Sequence, residues 1–427
     1  MAYKAKITQL TNLKPHPNAD RVQLAICHGN QVVVSIHHKE GDIGIYFDSD
    51  GQLSEEFCKM NNLFRDTKLN SDTQNKGGFF DVNRRVRTQK FRGEISDGLW
   101  LPLQSLNYIP GFDPKKIENE FDNIDGHTIC NKYVNKQTIE FAAKNRTVRA
   151  AKKSVMFKEH FDTEHFGKNM DKFNKGDFII ITEKLHGTSG RVGYVKVERN
   201  LKWYEYLLKK IGVKIESTNW EYLNGTRRVV LQESNGKQFH DPTIREKSFE
   251  LFNGKLKKGE TVYFEIVGFE SNGNPIMPSV STKLINDKNF TKKYGDTITY
   301  TYGCKPNDCD VYVYRITSTN EDGDTIDYSW SDVVKRCGEL GVKTVPEIKK
   351  FIYGDSIETS EDWFYLVSYF ANGESRIDNT HISEGVCVRI EGGLENKTFK
   401  YKSFEFKVLE GIIKDLGQID QEEAQSL

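Results

Sequence analysis

The segment Glu183-Lys184-Leu185-His186-Gly187-Thr188-Ser189-Gly190-Arg191 follows directly on the apolar run Phe178-Ile179-Ile180-Ile181. A short apolar run bounded by polar residues predicts a buried strand, and Lys184 should therefore lie where that strand ends. The small residues after Lys184 let the backbone approach a phosphate group closely. By itself the segment leaves two interpretations open, a lysine nucleophile or a solvent-exposed lysine paired with Glu183.

The spacing between Lys184 and Gly187 is a weak signal, because five other lysines have a glycine at the same distance. These are Lys90, Lys209, Lys292, Lys335 and Lys414. None of the five combines a preceding apolar strand with a following run of small residues. Sequence context therefore separates Lys184 from them, and spacing does not.

A lysine nucleophile needs a neutral amine, so burial or nearby positive charge must lower its pKa from about 10.4. Lys400 and Lys402 are the candidate cations, because residues two apart in a predicted strand project from the same face. The alternative for this pair is an exposed strand edge, where lysine protects against aggregation.

Two isolated carboxylates and a pair of tyrosines lie between the two lysine sites. Glu265 interrupts one apolar strand and Glu384 heads another. An isolated carboxylate in such a position requires a partner. Tyr312 and Tyr314 present two aromatic rings on one strand face, which base stacking requires. Ordinary core packing explains the two tyrosines equally well.

The order of these segments resembles the motifs of the covalent nucleotidyltransferase superfamily, which contains ATP-dependent ligases and capping enzymes. The resemblance spans about residues 155–405, and six ordered motifs are far more specific than one. The matching segments are Glu183–Arg191 (motif I), Asn224–Leu231 (Ia), Val262–Gly268 (III), Val311–Ile316 (IIIa), Glu384–Glu391 (IV) and Phe399–Ser403 (V). His186 stands in motif I where DNA ligases usually have an aspartate. In this feature the segment resembles the RNA ligases of the superfamily.

The rest of the chain also resembles one branch of these enzymes. DNA ligases and capping enzymes carry an OB-fold after motif V, but only 25 residues follow Lys402 here. A β-rich segment instead precedes Lys184, as in Deinococcus-type RNA ligases, which join an N-terminal OB-fold to a C-terminal adenylyltransferase domain. The resemblance therefore implies an RNA ligase and disfavours a DNA ligase or an RNA guanylyltransferase.

The resemblance also implies a reaction and its catalytic residues. Lys184 attacks ATP and carries AMP, which passes to an RNA 5′-phosphate before a 3′-hydroxyl seals the junction. Lys400 and Lys402 contact the α-phosphate, and Glu384 holds a hydrated Mg²⁺, for which Mn²⁺ is an alternative. The implied substrate is a nick in a duplex whose 3′-hydroxyl strand is RNA, although single strands and bridged breaks stay open.

The nucleotide site follows from the same resemblance. The implied contacts with ATP come from Glu183 and Gly187 of motif I, Arg227 of motif Ia, Glu265 of motif III and Tyr314 of motif IIIa. Glu265 accepts hydrogen bonds from the ribose and Tyr314 stacks on adenine. The register leaves Tyr312 as an alternative to Tyr314, and Arg228 as an alternative to Arg227.

The distribution of predicted elements is typical of an α+β protein. Short strands with turn signals fill the first hundred residues and indicate a small OB-like β-barrel. The following part predicts a nucleotidyltransferase domain of antiparallel sheets flanked by helices. We expect an OB-like nucleic-acid-binding module at 1–140, a basic linker at 141–158 and the adenylyltransferase domain at 159–427. Helices are predicted at 201–214, 329–338 and 360–370, the first packed on the body of its domain.

Composition places few limits on the partner. The 61 basic and 61 acidic residues cancel, so only local clusters can attract RNA, and Arg84, Arg85, Arg87, Lys90 and Arg92 form one such cluster. Seven scattered cysteines predict reduced thiols, and the absence of an apolar leader or long apolar segment predicts a cytoplasmic protein, in the host cytoplasm if it is viral, without membrane contact. We also expect a monomer. The Pro15–Arg21 segment resembles the start of tRNA-binding OB modules, so a protein that binds structured RNA without joining it is the alternative function.

Overall fold

The computed structural model describes residues 3–49, 51–144, 154–161, 163–199, 201–231, 242–285, 287–354, 359–393 and 397–415. The chain divides into two units. Unit 1 comprises Met1–Asn135, Thr359–Tyr365 and Phe404–Leu416, and unit 2 comprises Lys136–Glu358, Leu366–Ser403 and Gly417–Leu427. Much of the predicted basic linker and the acidic tail after Asp415 lie outside the described residues.

Unit 1 is built mainly from short antiparallel strands. Its longest sheet has the order β10-β1-β5-β9, and β2-β3-β4 form a second sheet. The strands are β1 Ala5–Gln9, β2 Thr11–Pro15, β3 Val22–Cys27, β4 Asn30–Ser35, β5 Ile43–Phe47, β6 Gly51–Leu53, β7 Thr88–Phe91, β8 Glu94–Asp97, β9 Leu99–Pro102, β10 Glu120–Phe121, β11 Asn123–Ile124, β12 His127–Thr128 and β13 Cys130–Lys132. One helix, α1 Glu55–Met60, interrupts them.

Alternation along β5 explains how unit 1 builds two apolar cores. Successive side chains of a strand point to opposite faces. Ile45 and Phe47 pack in one core with Phe57, while Tyr46 packs in the other with Trp100. The strands predicted from the sequence at the start of the chain are confirmed, because their alternating pattern fits a sheet with a buried face on each side.

Unit 2 contains a five-stranded and a seven-stranded sheet. The first has the order β14-β27-β26-β15-β25; in the second, β18-β17-β16-β19-β22-β23 are in line and β24 pairs with β22. The strands are β14 Glu164–His165, β15 Phe178–Lys184, β16 Thr188–Glu198, β17 Thr218–Gly225, β18 Val230–Leu231, β19 Glu260–Gly268, β20 Val280–Ser281, β21 Thr297–Ile298, β22 Cys309–Thr319, β23 Thr325–Asp327, β24 Lys343–Thr344, β25 Glu347–Ile352, β26 Gly385–Glu391 and β27 Lys397–Lys402. The α+β class is confirmed.

The apolar run Val229-Val230-Leu231 predicts a strand at 226–232, and over the described residues 226–231 this prediction is largely wrong. The long strand β17 ends at Gly225, and residues 226–229 form a turn before the short strand β18. The backbone N–H of Thr226 donates to the carbonyl of Val229 across this turn, and the N–H of Val229 donates to the Thr226 hydroxyl.

The predicted helices at 329–338 and 360–370 are confirmed. Ser329 caps the first by accepting the backbone N–H of Asp332, and Gly341 ends it in the left-handed conformation that glycine adopts without strain. The helices beyond α1 are α2 Lys136–Lys144, α3 Trp203–Lys210, α4 Pro242–Glu250, α5 Lys288–Tyr294, α6 Trp330–Leu340, α7 Ser360–Ala371 and α8 Phe404–Asp415. No helix in the described part of the chain is both long and apolar enough to cross a membrane.

Helix α3 differs from the expectation that it packs on its domain. No side chain of α3 is buried by the described residues, and its apolar side chains are exposed, 75% for Trp203 and 54% for Leu207. Its connection to the sheet is polar, because Arg199 at the end of β16 donates two hydrogen bonds to Glu205. An amphipathic pattern predicted the helix correctly but not the surface that it would cover.

This exposure predicts a small effect on stability. We expect Leu207→Ala to change the free energy of unfolding by less than about 0.5 kcal/mol, as for exposed positions generally. The matched change Leu340→Ala in α6, where the side chain is 4% exposed, should cost about 2–5 kcal/mol. Urea unfolding followed by tryptophan fluorescence measures both, and equal losses would show that α3 is covered in solution.

Candidate active site

The three lysines predicted to converge lie in one sheet. Lys184 is the last residue of β15 and pairs with Gly385 of β26, which pairs in turn with Lys402 of β27. In the next row on the same face, Cys387 of β26 pairs with Lys400. Strand alternation therefore directs all three ammonium groups to one side of the five-stranded sheet.

A buried carboxylate joins two of these lysines. Glu384, at the head of β26, is 3% exposed, and its Oε1 lies 2.8 Å from Lys184 Nζ and 3.9 Å from Lys402 Nζ. The second oxygen, Oε2, lies 3.8 Å from His186 Nδ1 and has no hydrogen-bond partner among the described residues. Glu384 is thus the point at which motifs I, IV and V meet.

The pKa of Lys184 is raised overall, whereas the sequence predicted a lowered one. Burial is the largest single effect and lowers the pKa, and Lys402 lowers it further, as expected of a neighbouring cation. The electrostatic effects of Glu384, Glu265 and Cys387 raise it, and together they outweigh burial and Lys402. The Glu384 carboxylate is in contact with the Lys184 ammonium group. Its charge therefore affects the pKa of Lys184 more than the charge of Lys402 does.

Motif I connects the two sheets of unit 2. The turn 185–187 leads from β15 into β16, whose Ser189 pairs with Glu265 of β19 and donates a 3.3 Å hydrogen bond to its Oε2. A β-carbon at Gly187 would come within 2.3 Å of the carbonyl oxygen of Ile266, so this close approach of two backbones requires glycine. The turn thereby brings the carboxylate of motif III toward Lys184.

The structure distinguishes the two tyrosines of β22. Tyr312 pairs with Glu265 and lies on the same sheet face. Its pKa is raised by burial first, then by Asp310, and also by Glu183, which places it near motif I. Tyr314 sits at a bulge in the pairing with β19, and its ring lies 5.1 Å from that of His160. The bulge puts the two tyrosines in different surroundings, although two-residue spacing predicted one shared platform.

Glu183 and Arg227 have well-defined surroundings in unit 2. Glu183 is buried and accepts the backbone N–H of Arg376, and burial raises its pKa. Arg227 lies in the turn after β17, where its carbonyl accepts a 2.6 Å hydrogen bond from Arg191 Nη1. Arg191 is itself buried, with its guanidinium 4.6 Å from the centre of the Phe157 ring.

Several residues that support motif I carried no signal in the sequence. Arg245 of α4 is buried and donates to the carbonyl of Ser189 and to the hydroxyl of Thr188 at 2.5 and 2.8 Å. Tyr302 accepts the backbone N–H of His186 at 2.6 Å. Both reach motif I from distant parts of the chain, and no local pattern marks such a contact.

The carboxylates of the site suit a hydrated divalent cation. Mg²⁺ prefers oxygen ligands and keeps several waters, so one or two carboxylates are enough to hold it. Glu384 offers a buried oxygen without a hydrogen-bond partner among the described residues, and Glu265 faces the same cluster. No group of three or more His, Cys, Asp or Glu side chains suited to a metal occurs in the described ranges.

The basic cluster of unit 1 is only partly available for a ligand. Arg84 donates to the carbonyl of Leu53, Arg85 to the carbonyl of Gly411 in α8, and Arg87 to the carboxylate of Asp81. Lys90 and Arg92 are exposed near the tip of the hairpin β7-β8, where Arg92 donates to the carbonyl of Asn18. Charge density along the sequence therefore overstated the exposed positive surface of this unit.

Comparison with known proteins follows the same division of the chain. A family model for RNA ligases matches residues 177–402, more than half of the chain, and a model for an OB-fold domain matches residues 4–103. The first of these spans all the motifs from I to V. No curated protein sequence gives a significant match.

Solved structures of an RNA ligase from Naegleria gruberi resemble the fold. An apo form is 18% identical with a TM-score of 0.59, covering 95% of this chain and 98% of that one. A form with AMP and Mn is 18% identical with a TM-score of 0.60, covering 94% and 97%. Likeness at this identity shows the architecture, while the family model covers the motifs themselves, and the chain therefore belongs to the RNA ligase family.

Proposed function

We propose that the protein is an ATP-dependent RNA ligase in which Lys184 Nζ, after its ammonium group has lost a proton to solvent, attacks the α-phosphorus of ATP. The new N–P bond replaces the bond to pyrophosphate, which leaves, and the product is lysyl-AMP. The observation that carries this proposal is the cluster in which Glu384 joins Lys184 to Lys402. A half-buried lysine beside a second lysine and two carboxylates is arranged for nucleotidyl transfer at phosphorus.

Two further displacements complete the reaction. An oxygen of an RNA 5′-phosphate attacks the phosphorus of lysyl-AMP and releases Lys184. A 3′-hydroxyl then attacks the 5′-phosphorus of the adenylylated RNA, and AMP leaves as a phosphodiester forms. Each step is an in-line displacement, so the protein mainly positions the reacting groups and neutralises charge. Lys400 and Lys402, on the face of Lys184, are suited to neutralise the α-phosphate.

Both sheets of unit 2 and the turns beside them offer groups for the nucleoside. We assign Glu265 to the ribose hydroxyls, Glu183 to the adenine edge and Gly187 to close backbone approach. The pairing of Tyr312 with Glu265 supports Tyr312 as the ring that stacks on adenine, with Tyr314 as the alternative. Arg227, beside the buried Arg191, is assigned to the ribose or the 5′-phosphate.

A divalent cation, Mg²⁺ or Mn²⁺, would be held by Glu384 through water. Such an ion supplies positive charge to the transferring phosphate. The lysines supply the remaining charge. Glu384 also orients the Lys184 amine through their 2.8 Å contact.

We further propose the functions of the other segments. The module at 1–140 is assigned to nucleic-acid binding, 141–158 to a basic linker and 159–427 to adenylyl transfer. The exposed Lys90 and Arg92 support contact with an RNA-containing duplex. All seven cysteines are free thiols, which supports a cytoplasmic protein, and we propose that it acts as a monomer.

The test is covalent labelling with α-labelled nucleotide and Mg²⁺, followed by denaturing electrophoresis. We expect acid-labile label from ATP and at least about tenfold less from GTP, because the site binds adenine by stacking and edge contacts. Label mainly from GTP would favour capping chemistry. If the wild-type protein formed no labelled adduct with either nucleotide, the result would favour the alternative function, in which the protein binds RNA without joining it.

The preferred junction is tested separately with nicked duplexes that differ only at the 3′-hydroxyl strand. We expect faster sealing when that strand ends in RNA than when it ends in DNA. Equal rates on both, or faster sealing of free single strands, would contradict the proposed substrate.

A further inference from the structure

The loop 299–304, which precedes β22, contacts motif I through Tyr302 and Tyr300. We propose that Tyr302 is a positioning residue for Lys184 and His186, held in place by His381 and Asp378. This inference rests on the proposed function. It concerns the geometry of the nucleophile and not a further contact with ATP.

The contact is made at the turn that follows the nucleophile. Residues 185–187 leave β15 and enter β16, so their backbone groups lie outside both ladders. The N–H of His186 donates to Tyr302 Oη at 2.6 Å, and the Tyr302 side chain is buried. A buried backbone N–H requires an acceptor, and the hydroxyl of Tyr302 supplies it.

The backbone of Tyr302 is held in an unfavourable conformation. Its φ is 49°, in the left-handed region that non-glycine residues rarely adopt. A bulky residue remains there only when its surroundings enforce it. Such strain next to a reactive lysine is the second observation that points to a positioning role.

His381 and Asp378 provide that enforcement. The N–H of Tyr302 donates to His381 Nε2 at 3.4 Å, while His381 Nδ1 lies 2.9 Å from the carbonyl of Ile382. The carbonyl can only accept, so Nδ1 carries the proton and Nε2 accepts, as the first contact requires. On either side of Tyr302, the hydroxyl of Thr301 and the N–H of Gly303 donate to Asp378 Oδ2.

The same group of rings encloses the His186 side chain. The ring of Tyr300 lies 4.7 Å from that of His186 and 5.2 Å from that of His381. His186 Nδ1 is 3.8 Å from Glu384 Oε2, and the other oxygen of Glu384 contacts Lys184. A shift of the turn would therefore move His186 and Lys184 together relative to Glu384.

The test is Tyr302→Phe, which removes one oxygen and keeps the ring. We expect the single-turnover rate of lysine adenylylation at saturating ATP to fall about 10- to 100-fold, as for a small displacement of a reacting group. The ATP concentration that gives half the maximal rate should stay within about twofold, because no contact with ATP is lost. A rate within about twofold of wild type, or an equal loss of ATP affinity and rate, would overturn the inference.

Two comparisons separate positioning from loss of stability. Tyr46→Phe removes another buried hydroxyl, which donates to the carbonyl of Asp97 in unit 1, and should lower stability but not the rate per folded molecule. His381→Leu should behave like Tyr302→Phe, whereas His381→Gln, whose amide oxygen can accept from Tyr302, should recover much of the rate. Equal slowing in Tyr46→Phe, or no difference between the two His381 variants, would contradict a positioning role.

The outcome also distinguishes this inference from the proposed function. A wild-type protein that forms no lysyl-AMP overturns both. A wild-type protein that labels normally, together with a Tyr302→Phe variant that labels equally fast, overturns the role of Tyr302 alone.

Discussion

Lys184→Ala is expected to abolish lysyl-AMP formation, with a loss of at least about 10⁴-fold in labelling and in joining of RNA with ATP. Removal of a covalent nucleophile leaves no group that can form the N–P bond. Lys184 Nζ lies 2.8 Å from Glu384 Oε1, in the cluster that is proposed to receive the phosphate. The measurement is label retained after denaturing electrophoresis.

The matched control is Lys209→Ala on the exposed helix α3. Lys209 has a glycine at the same spacing as Lys184, yet this substitution should leave labelling within about twofold of wild type. A second comparison supplies RNA that already carries AMP on its 5′-phosphate. Lys184→Ala should seal this substrate within about tenfold of wild type, since the lysine is no longer the nucleophile. Persistent label in Lys184→Ala would show that another residue carries AMP.

Lys402→Ala has the second largest expected effect, a fall of about 10²- to 10³-fold in the rate of AMP transfer to Lys184. Lys402 lies across Gly385 from Lys184 and 3.9 Å from Glu384 Oε1. Its charge is therefore close to the reacting amine, where phosphate charge must be neutralised. Rapid-quench measurement of labelling at saturating ATP gives the rate.

The positions of three lysines along β27 predict that their alanine variants lose labelling rate to different extents. Lys400 lies one row farther from Lys184, opposite Cys387, so Lys400→Ala should slow labelling less than Lys402→Ala. Lys397 is exposed and its position in the alternation puts it on the opposite face of β27. Lys397→Ala should leave the rate within about twofold, because its charge points away from the site. Full labelling in Lys400→Ala and Lys402→Ala alike would show that these lysines do not contact the phosphate.

Local patterns predicted the parts of the site that lie within single strands. The apolar run before Lys184 predicted β15, and two-residue spacing predicted that Lys400 and Lys402 share a face. The helix predicted at 329–338 agrees with α6, Trp330–Leu340, to within two residues at each end. These features depend on steric preferences and on strand alternation within a few neighbouring residues. Both can be inferred from the local sequence alone.

Features that depend on distant contacts were not predictable in this way. The bulge in the pairing of β19 with β22 separates Tyr312 from Tyr314, and α3 leaves its apolar side exposed to the extent of 75% at Trp203. The pKa of Lys184 is raised, and not lowered as expected from the sequence, because the nearest charge belongs to Glu384 and not to the lysines. A count of cations along the chain does not give their distances.

The sequence by itself determined that Lys184 ends a buried strand, that it lies in the first of six segments that resemble ligase motifs in order, and that a β-rich module precedes them. Only the tertiary structure decided which carboxylate contacts Lys184, which tyrosine lies beside Glu265 and which residue holds the turn after the nucleophile. The last of these, Tyr302, lies 116 residues from His186 in the chain. Electrostatic and hydrogen-bond energies depend on distances of a few ångströms between such residues, and folding alone sets those distances.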